Sequence, residues 1–510
     1  MSRFDDSMQL ALRRGIFFPA SEIYSSAPSG IYDFGPNGRA LRQNIAALWR
    51  RHLVQHNSML EIDGAQIMPK AVFESSGHLS GFSDPVTQCA KCHAMHRADR
   101  VISDATGMQV PEGTPEDRLD ELIENNAVTC PACKGRLSKV RRFNLMMQVM
   151  LGPLQDQECY LRPETCQTIF CDYPRLAKTM RVKLPFGIAQ RGQAFRNEIS
   201  PRNFLIRQRE FAQIECEIFF DPERIDEVEG FQATDDIPMR FQTIARDQVM
   251  ELTAAELVER KLVSGRLIAY YLAEVQRVWE AMGFPRDLLR FREVGDDERP
   301  FYSKETWDFE VLSDQLGWVE LVANNYRMDY DLGGHQTGSK ADLRWTSEDG
   351  RKFIPHVWEI SAGLDRTLMC LLEVGLRADE SRKYSYLSLP PQISPFLCAV
   401  FPLVRKDELP RLALSIVDDL RNNGMTVTYD ESGSIGRRYA RVDEIGCPFA
   451  VTVDYRTLEE DVVTLRDRDS TRQAQLKVKE LAGIMWGLYN GLVSFGSLPR
   501  PEPPSGDPRP

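Results

Sequence analysis

At 510 residues the chain is long enough for about three domains of roughly 150 residues each. Hydrophobic residues make up 42% and charged residues 27%, which excludes a mostly disordered or fibrous polymer. With 63 basic against 74 acidic residues, the net charge of −11 argues against a protein that coats nucleic acid indiscriminately, because such binding draws on a basic surface to release counterions.

No apolar run approaches the roughly 20 residues of a bilayer span. Met1–Asp6 carries no basic-then-apolar leader, so a cytoplasmic protein with no membrane partner is expected. In that reducing compartment most of the eleven cysteines are expected to act as small buried hydrophobes.

In chain order, a glycine- and aromatic-rich turn at Gly30–Gly38 precedes a helix expected over 39–54, with Leu41, Ile45 and Leu48 at helical spacing. Leu60–Met68 alternates like a strand and stops at Pro69. Residues 86–140, framed by two C-x-x-C pairs, look like a small inserted module. Residues 141–220 read as strand-rich, and 221–285 as a charged helical insertion. Strands return over 290–360, followed by a helix from Asp365 to Leu376. Prolines 390–395 mark a boundary. Beyond it, strands at Leu397–Pro402, Met425–Tyr429 and Phe449–Val453 alternate with helices at Glu408–Asn422 and Thr471–Leu488, implying a small α/β domain. The proline-rich tail, 499–510, is expected to be disordered.

The most informative stretch is Phe195–Phe220. Its second half alternates strictly, with Ala212, Ile214, Cys216 and Ile218 on one face and Phe211, Gln213, Glu215 and Glu217 on the other. One face therefore backs on a core and the other fronts a polar cavity. Pro201–Asn203 marks a loop from which an earlier strand carrying Arg196 and Glu198 can pair back. That crowds Arg196, Arg202, Arg207 and Arg209 into one hairpin suited to phosphate or carboxylate. The adjacent carboxylates would repel one another without a cationic partner. In Leu161–Gln167, Arg162 and Glu164 flank a proline. In His356–Arg366, Glu359 and Ser361 share a strand face and Gly363 opens a helix with Arg366 in its first turn, an arrangement suited to a phosphate chain.

In this order and spacing the stretches resemble the three motifs of class II aminoacyl-tRNA synthetases, and most closely the single-chain, homodimeric glycyl-tRNA synthetases. The helix at 39–54 with the strand ending at Pro69 resembles motif 1, Phe195–Phe220 motif 2 and Val357–Arg366 motif 3. Leu161–Gln167 resembles that family's R-P-E-T-A-Q element, and Trp318–Leu321 its acidic strand. The resemblance covers about 1 to 495.

It implies an α+β fold: an antiparallel-sheet catalytic domain (1–85 and 141–390), an inserted zinc module (86–140) and a C-terminal α/β anticodon-binding domain (391–498). It also implies an ATP site formed by Arg196, Asn197, Glu198, Ile206, Arg207, Gln208, Arg209, Glu210, Phe211, Glu320, Leu321, Gly363, Leu364, Asp365 and Arg366. Within it, Arg196 would hold the α-phosphate, Glu198 the adenine amino group, Phe211 the ring, Arg366 the γ-phosphate and Glu320 Mg²⁺. Arg196, Glu198 and Arg366 carry the catalytic roles. A glycine pocket would draw on Arg97, Glu164, Phe211, Ala212, Gln213, Ile214, Glu215, Glu359, Ile360, Ser361, Ala362 and Gly363. The partners implied are ATP, glycine, tRNA(Gly) and a second copy of the chain. Where the family has Ala-Gln-Gly this sequence has Cys166-Gln167-Thr168, and Ile360 replaces a proline. A synthetase of another specificity, or a non-catalytic nucleic-acid-binding paralogue, is the competing reading.

Cys89, Cys92, Cys130 and Cys133 have the spacing of a structural Zn²⁺ site, although the gap between the pairs is longer than in simple fingers. A longer hairpin, or ligation by His93 or His96, would accommodate it. A redox pair and a site that has lost its metal are the alternatives. In the C-terminal domain, Arg437-Arg438 and Arg466/Arg468 fall in stretches resembling the anticodon-binding domain, and a solvated surface is the competing reading.

Overall fold

The computed structural model describes residues 2–500 other than 112, 297 and 407. The tail expected to be disordered lies outside the described residues from 501 onward, whereas Pro499 still accepts a main-chain bond from Gln475. The organising element is the strand Glu210–Phe220. Its alternation sends Ala212, Ile214, Cys216 and Ile218 into the main apolar cluster and leaves Gln213, Glu215 and Glu217 on the opposite face.

This strand runs antiparallel to both neighbours, Phe186–Phe195 and His356–Gly363, setting Gln190 and Ser361 on either side of Glu215 and Glu359 opposite Glu217. Nine strands complete the sheet, in the order Arg246–Leu252, Met239–Thr243, Leu289–Glu293, Glu305–Ser313, Gly317–Met328, His356–Gly363, Glu210–Phe220, Phe186–Phe195 and Leu60–Ile62. The pairs are antiparallel except where Met239–Thr243 meets Leu289–Glu293 and Phe186–Phe195 meets Leu60–Ile62. On the apolar face, the helices Pro36–Trp49, Arg266–Ala281 and Leu364–Gly375 fill the core. The first continues into a π-helical turn, Arg50–Gln55.

Four expectations need correction. Leu60–Met68 is not one strand: Leu60–Ile62 joins the large sheet and Ile67–Pro69 pairs with Gln157–Leu161 in a three-stranded one. Between them the chain bends at Gln66, and Gly64, where a Cβ would lie 2.4 Å from Thr168 Oγ1, donates its N–H to Gln190 Oε1 at 2.7 Å. Residues 141–220 also hold a 15-residue helix, Cys166–Met180, which Pro174 disguises in the sequence. Residues 221–285 are not uniformly helical. The hairpin Met239–Leu252 forms the edge of the nine-stranded sheet, and Arg266–Ala281 is buried nearly all round because it packs between the sheet and the helices around it. Finally, the segment expected as one closing helix, Thr471–Leu488, contains the edge strand Gln473–Lys477 before the helix Leu481–Tyr489.

The cysteine-bearing segment has its own apolar cluster, with Ala98, Ile102, Leu119, Ile123 and Leu137 at its centre. Its sheet, Met95–Arg97, Ser83–Gln88 and Arg141–Asn144, starts three residues before the expected boundary at 86 and ends four after 140. After the prolines, a five-stranded sheet runs Val427–Tyr429, Cys398–Pro402, Phe449–Val453, Val462–Asp467 and Gln473–Lys477, parallel among the first three strands and antiparallel thereafter. Arg13 pairs with Glu444 at 3.2 Å, tying the first helix to this C-terminal unit.

Candidate active site

The polar face of the large sheet gathers carboxyls that lie on separate segments of the sequence: Glu215 and Glu359 on strands and Glu164 in the bend before the helix Cys166–Met180. Glu215 accepts from Thr165 N at 2.9 Å, from Gln213 Nε2 at 2.9 Å, and from the hydroxyls of Thr165 and Ser361. Glu164 accepts from Gln167 Nε2 at 2.9 Å and from the Cys166 thiol at 2.9 Å, and faces His78 Nε2 at 3.2 Å. Glu359 accepts from Asn325 Nδ2 at 2.7 Å and Arg327 Nη1 at 2.8 Å. All three are buried.

The cation that this face requires is Arg327. It is 1% exposed, grips Asp331 through Nε at 2.6 Å and Nη2 at 2.8 Å, and lies 4.0 Å from the centre of the Tyr302 ring. Neither Arg327 nor its supports Asp331, Asn325 and His78 were found from the sequence. The available signal was the need for a cation opposite Glu215 and Glu217, together with the alternation Asn325–Arg327 on the neighbouring strand.

Burial opposes ionisation of Glu164, but His78 and Arg327 outweigh it and hold that carboxyl well below the usual range. Burial and the charge of Glu164 raise Glu215 despite its hydroxyl donors. Burial pushes Glu359 up to about 7 against the pull of Arg327. Glu217 is raised well above the usual range by burial and by Glu359 directly across the strand pair, and neither of its oxygens has a partner among the described residues. Cys166, Glu217 and Glu359 bring a sulfur and two carboxyl oxygens within 4.8 Å of one another. Asn325 and Arg327 occupy Glu359 and the thiol donates to Glu164, which leaves Glu217 as the member of this group without a hydrogen-bond partner among the described residues.

Several expected site residues turn their side chains into the core: Ala212, Ile214, Leu321, Ile360, Ala362 and Leu364. They can offer the site only main-chain groups. Arg162 is consumed structurally, donating to the carbonyls of Gln193 at 2.9 Å and Gly64 at 3.1 Å.

Above the pocket lies a rim of arginines. Arg196 donates to Pro163 O at 3.1 Å, and its guanidinium lies 5.2 Å from the centre of the Phe211 ring. Glu198 pairs with Arg207 at 2.7 Å, and Arg209 donates to the Glu198 carbonyl at 3.1 Å. Asn197 N donates to Leu145 O at 2.8 Å, and Glu210 accepts from Gln193 at 3.1 Å. Arg366, in the first turn of its helix after Gly363, meets the Glu320 carbonyl at 2.8 Å, the Glu320 carboxylate at 3.2 Å and Ile206 O at 3.4 Å.

Asp365 is a buried clasp. It accepts from Ala212 N at 2.9 Å, pairs with Arg42 at 2.7 Å and is bonded by Gln208, so it joins three segments rather than facing the cavity. Arg97 has its fork filled by Asp84 at 3.0 Å and Asp99 at 2.6 Å.

In the cysteine module, Cys89 and Cys133 lie 3.4 Å apart and Cys92 and Cys130 3.7 Å apart, and all four sulfurs fall within 4.8 Å of one another. Tetrahedral thiolates about 2.3 Å from a zinc ion would be about 3.8 Å apart, so the set fits. His96 Nε2 lies 3.3 Å from Cys130 Sγ, beside the four sulfurs.

In the C-terminal unit, Arg438, Arg466 and Arg468 are buried. Arg466 forks onto Asp443 at 3.0 Å through both nitrogens, and Arg468 donates to Leu389 O and Gly446 O, so these arginines hold the unit together. Arg437 alone of the four is exposed.

A family profile described as tRNA synthetase class II core domain (G, H, P, S and T) matches residues 152–375, and one described as anticodon binding domain matches 397–485. The chain is 36% identical to a glycine-tRNA ligase of Methanothrix thermoacetophila, over 98% of this chain and all of the other. It is also 36% identical to those of Methanothermobacter thermautotrophicus (93% and 97% covered) and Pyrococcus furiosus (94% and 98%). Prolyl-tRNA synthetase from Cryptosporidium parvum, in a crystal structure with halofuginone and AMPPNP, shares the fold at 14% identity, with a TM-score of 0.57 over 96% of this chain and 75% of that one. With identity at that level along almost the whole of both chains, and a class II core over the sheet that carries the pocket, the chain belongs to the glycine-tRNA ligase family of class II aminoacyl-tRNA synthetases.

Proposed function

We propose that the carboxyl-lined pocket holds glycine and the arginine rim holds ATP, so that glycyl-adenylate forms where the two meet and tRNA(Gly) is charged there. The observation that carries this is the crowding of carboxyls about Arg327: Glu164, Glu359 and Asp331 pair with its guanidinium, and Glu215 and Glu217 lie on the same polar sheet face. Such a pocket accepts one more cation, and the ammonium of glycine supplies it. Glu164, Glu215 and Glu359 receive the ammonium, and Ser361 closes on the Cα. A glycine carboxylate oxygen attacks the α-phosphorus; the bond to the bridging oxygen breaks and pyrophosphate leaves. Arg196 stabilises the α-phosphate and Arg366 the γ-phosphate as charge shifts between them. Mg²⁺, held by Glu320 beside Arg366, would neutralise phosphate charge. The terminal ribose hydroxyl of the tRNA then attacks the adenylate carbonyl and AMP departs. A tight pocket rejects larger amino acids sterically, and none smaller exists, so no editing site is required.

Pyrophosphate exchange with each of the twenty amino acids tests the assignment. Exchange driven by glycine alone is expected, and exchange driven by another amino acid would overturn it. We read residues 1–85 and 141–390 as the catalytic domain, 391–498 as the anticodon-binding domain, and the cysteine module as a structural zinc site. Protein purified without chelator should carry one zinc per chain, and well under one defeats the zinc reading. We also read the chain as a cytoplasmic homodimer, formed through the segment around Pro36–Trp49; sedimentation as a monomer at working concentration would refute the dimer. Among the described residues no helix is long and apolar enough to cross a membrane.

A further inference from the structure

Arg196 differs from Arg207 and Arg366 in what holds it. Arg207 faces Glu198 and Arg366 faces Glu320, whereas no carboxylate pairs with Arg196 among the described residues. Its guanidinium instead lies over two aromatic rings, 5.2 Å from the centre of Phe211 and 5.3 Å from that of Phe82. Phe211 belongs to the same hairpin as Arg196. Phe82 comes from the root of the cysteine module, where the strand Ser83–Gln88 runs directly to Cys89.

Two main-chain bonds fix this distant ring beside the arginine: Leu145 N donates to Phe82 O at 3.1 Å, and Asn197 N, next to Arg196, donates to Leu145 O at 2.8 Å. The other side of Phe82 meets the His78 ring at 5.6 Å, and His78 faces Glu164.

We propose that Phe82 is a positioning residue for the nucleotide: its ring holds the Arg196 guanidinium where the α-phosphate arrives, without a competing carboxylate. An arginine fixed by a π-face keeps its full charge for the incoming anion, whereas one fixed by a carboxylate must first surrender that partner. The module thereby contributes to the nucleotide site through a residue that never contacts ATP. This inference rests on the reading of Arg196 as the α-phosphate ligand.

The test uses the full chain, with ATP affinity measured by equilibrium dialysis and both Michaelis constants by glycine-dependent pyrophosphate exchange. Phe82→Leu keeps the apolar bulk and removes the π-face. It should raise the Kd and KM for ATP about fivefold, the KM for glycine less than the KM for ATP, and leave kcat within about twofold. Phe82→Tyr should restore ATP affinity. Unchanged ATP affinity in Phe82→Leu, equal rises in both KM values, or a Tyr variant as weak as the Leu variant would each overturn the inference. If Phe82→Leu fails to fold, Phe82→Met takes its place with the same expected split. Arg196→Lys separates the two failures: if it leaves ATP affinity intact, the reading of Arg196 falls. If it weakens ATP binding while Phe82→Leu does not, only the role of Phe82 falls.

Discussion

The pocket and the rim are both built of charged side chains, yet they are held in opposite ways. In the pocket the charged groups are buried and, Glu217 apart, fastened by side-chain partners: Arg327 and Asp331 are each 1% exposed and joined by two hydrogen bonds. In the rim, Arg366 and Glu320 remain part-exposed, at 29% and 45%, and main-chain carbonyls supply much of the holding. A small, invariant ligand is best met by groups that cannot move, because rigid carboxyls exclude a side chain. On the reading proposed above, the rim meets a triphosphate that leaves as pyrophosphate, which favours arginines that can exchange carbonyls for phosphate oxygens.

The largest expected effect that would break this contrast lies beneath the pocket. Arg327→Met should remove the arginine that pairs with Glu164, Glu359 and Asp331, abolish glycine-dependent exchange and cost about 3–5 kcal/mol of stability in urea. A loss below about 1 kcal/mol would mean that the pocket is not held as described. On the rim, Arg366→Ala should lower exchange by about a hundredfold or more while tRNA affinity, read by filter binding, stays within about twofold. A large loss of tRNA affinity would place Arg366 elsewhere in the mechanism.

A third measurement uses pH. Glu359 is raised from 4.5 to about 7, so in the ligand-free enzyme its contribution to stability is full below about 4.5 and is lost as pH rises through about 7. The ammonium of glycine favours the ionised form. Glycine should therefore raise the melting temperature more at pH 8 than at pH 6, and its KM should climb as pH falls below 7. Glu359→Gln should flatten both trends, and an unchanged profile in that variant would sink the assignment.

The smallest effect concerns the C-terminal unit. Arg468→Ala should cost about 1–3 kcal/mol of stability, because it strands the carbonyls of Leu389 and Gly446. Arg437→Ala should leave stability unchanged and weaken tRNA binding alone. The reverse outcome would return the buried arginine to the tRNA surface.

Much of this arrangement was legible along the chain. Strict alternation in Glu210–Phe220 assigns each residue to the core or to the cavity, since neighbouring side chains on a strand must point to opposite faces. The two C-x-x-C pairs single out the four thiols whose sulfurs the fold brings within 4.8 Å of one another. The helix after Gly363 and the arginine in its first turn also follow from local pattern. Misassigned segments have local causes too: Pro174 disguises a helix, and a bend at Gln66 turns what reads as one strand into two.

The electrostatics of the pocket could not be read that way. His78 reaches Glu164 from 86 positions away, and Gln167 reaches Asp331 across 164. Whether an arginine reads tRNA or braces a fold was equally illegible, since Arg437 and Arg438 are neighbours in sequence and opposite in exposure. Periodicity follows from chain geometry and so appears in the order of residues. The charge a buried carboxyl carries depends on its desolvation and on which distant groups approach it, and folding alone brings those groups together.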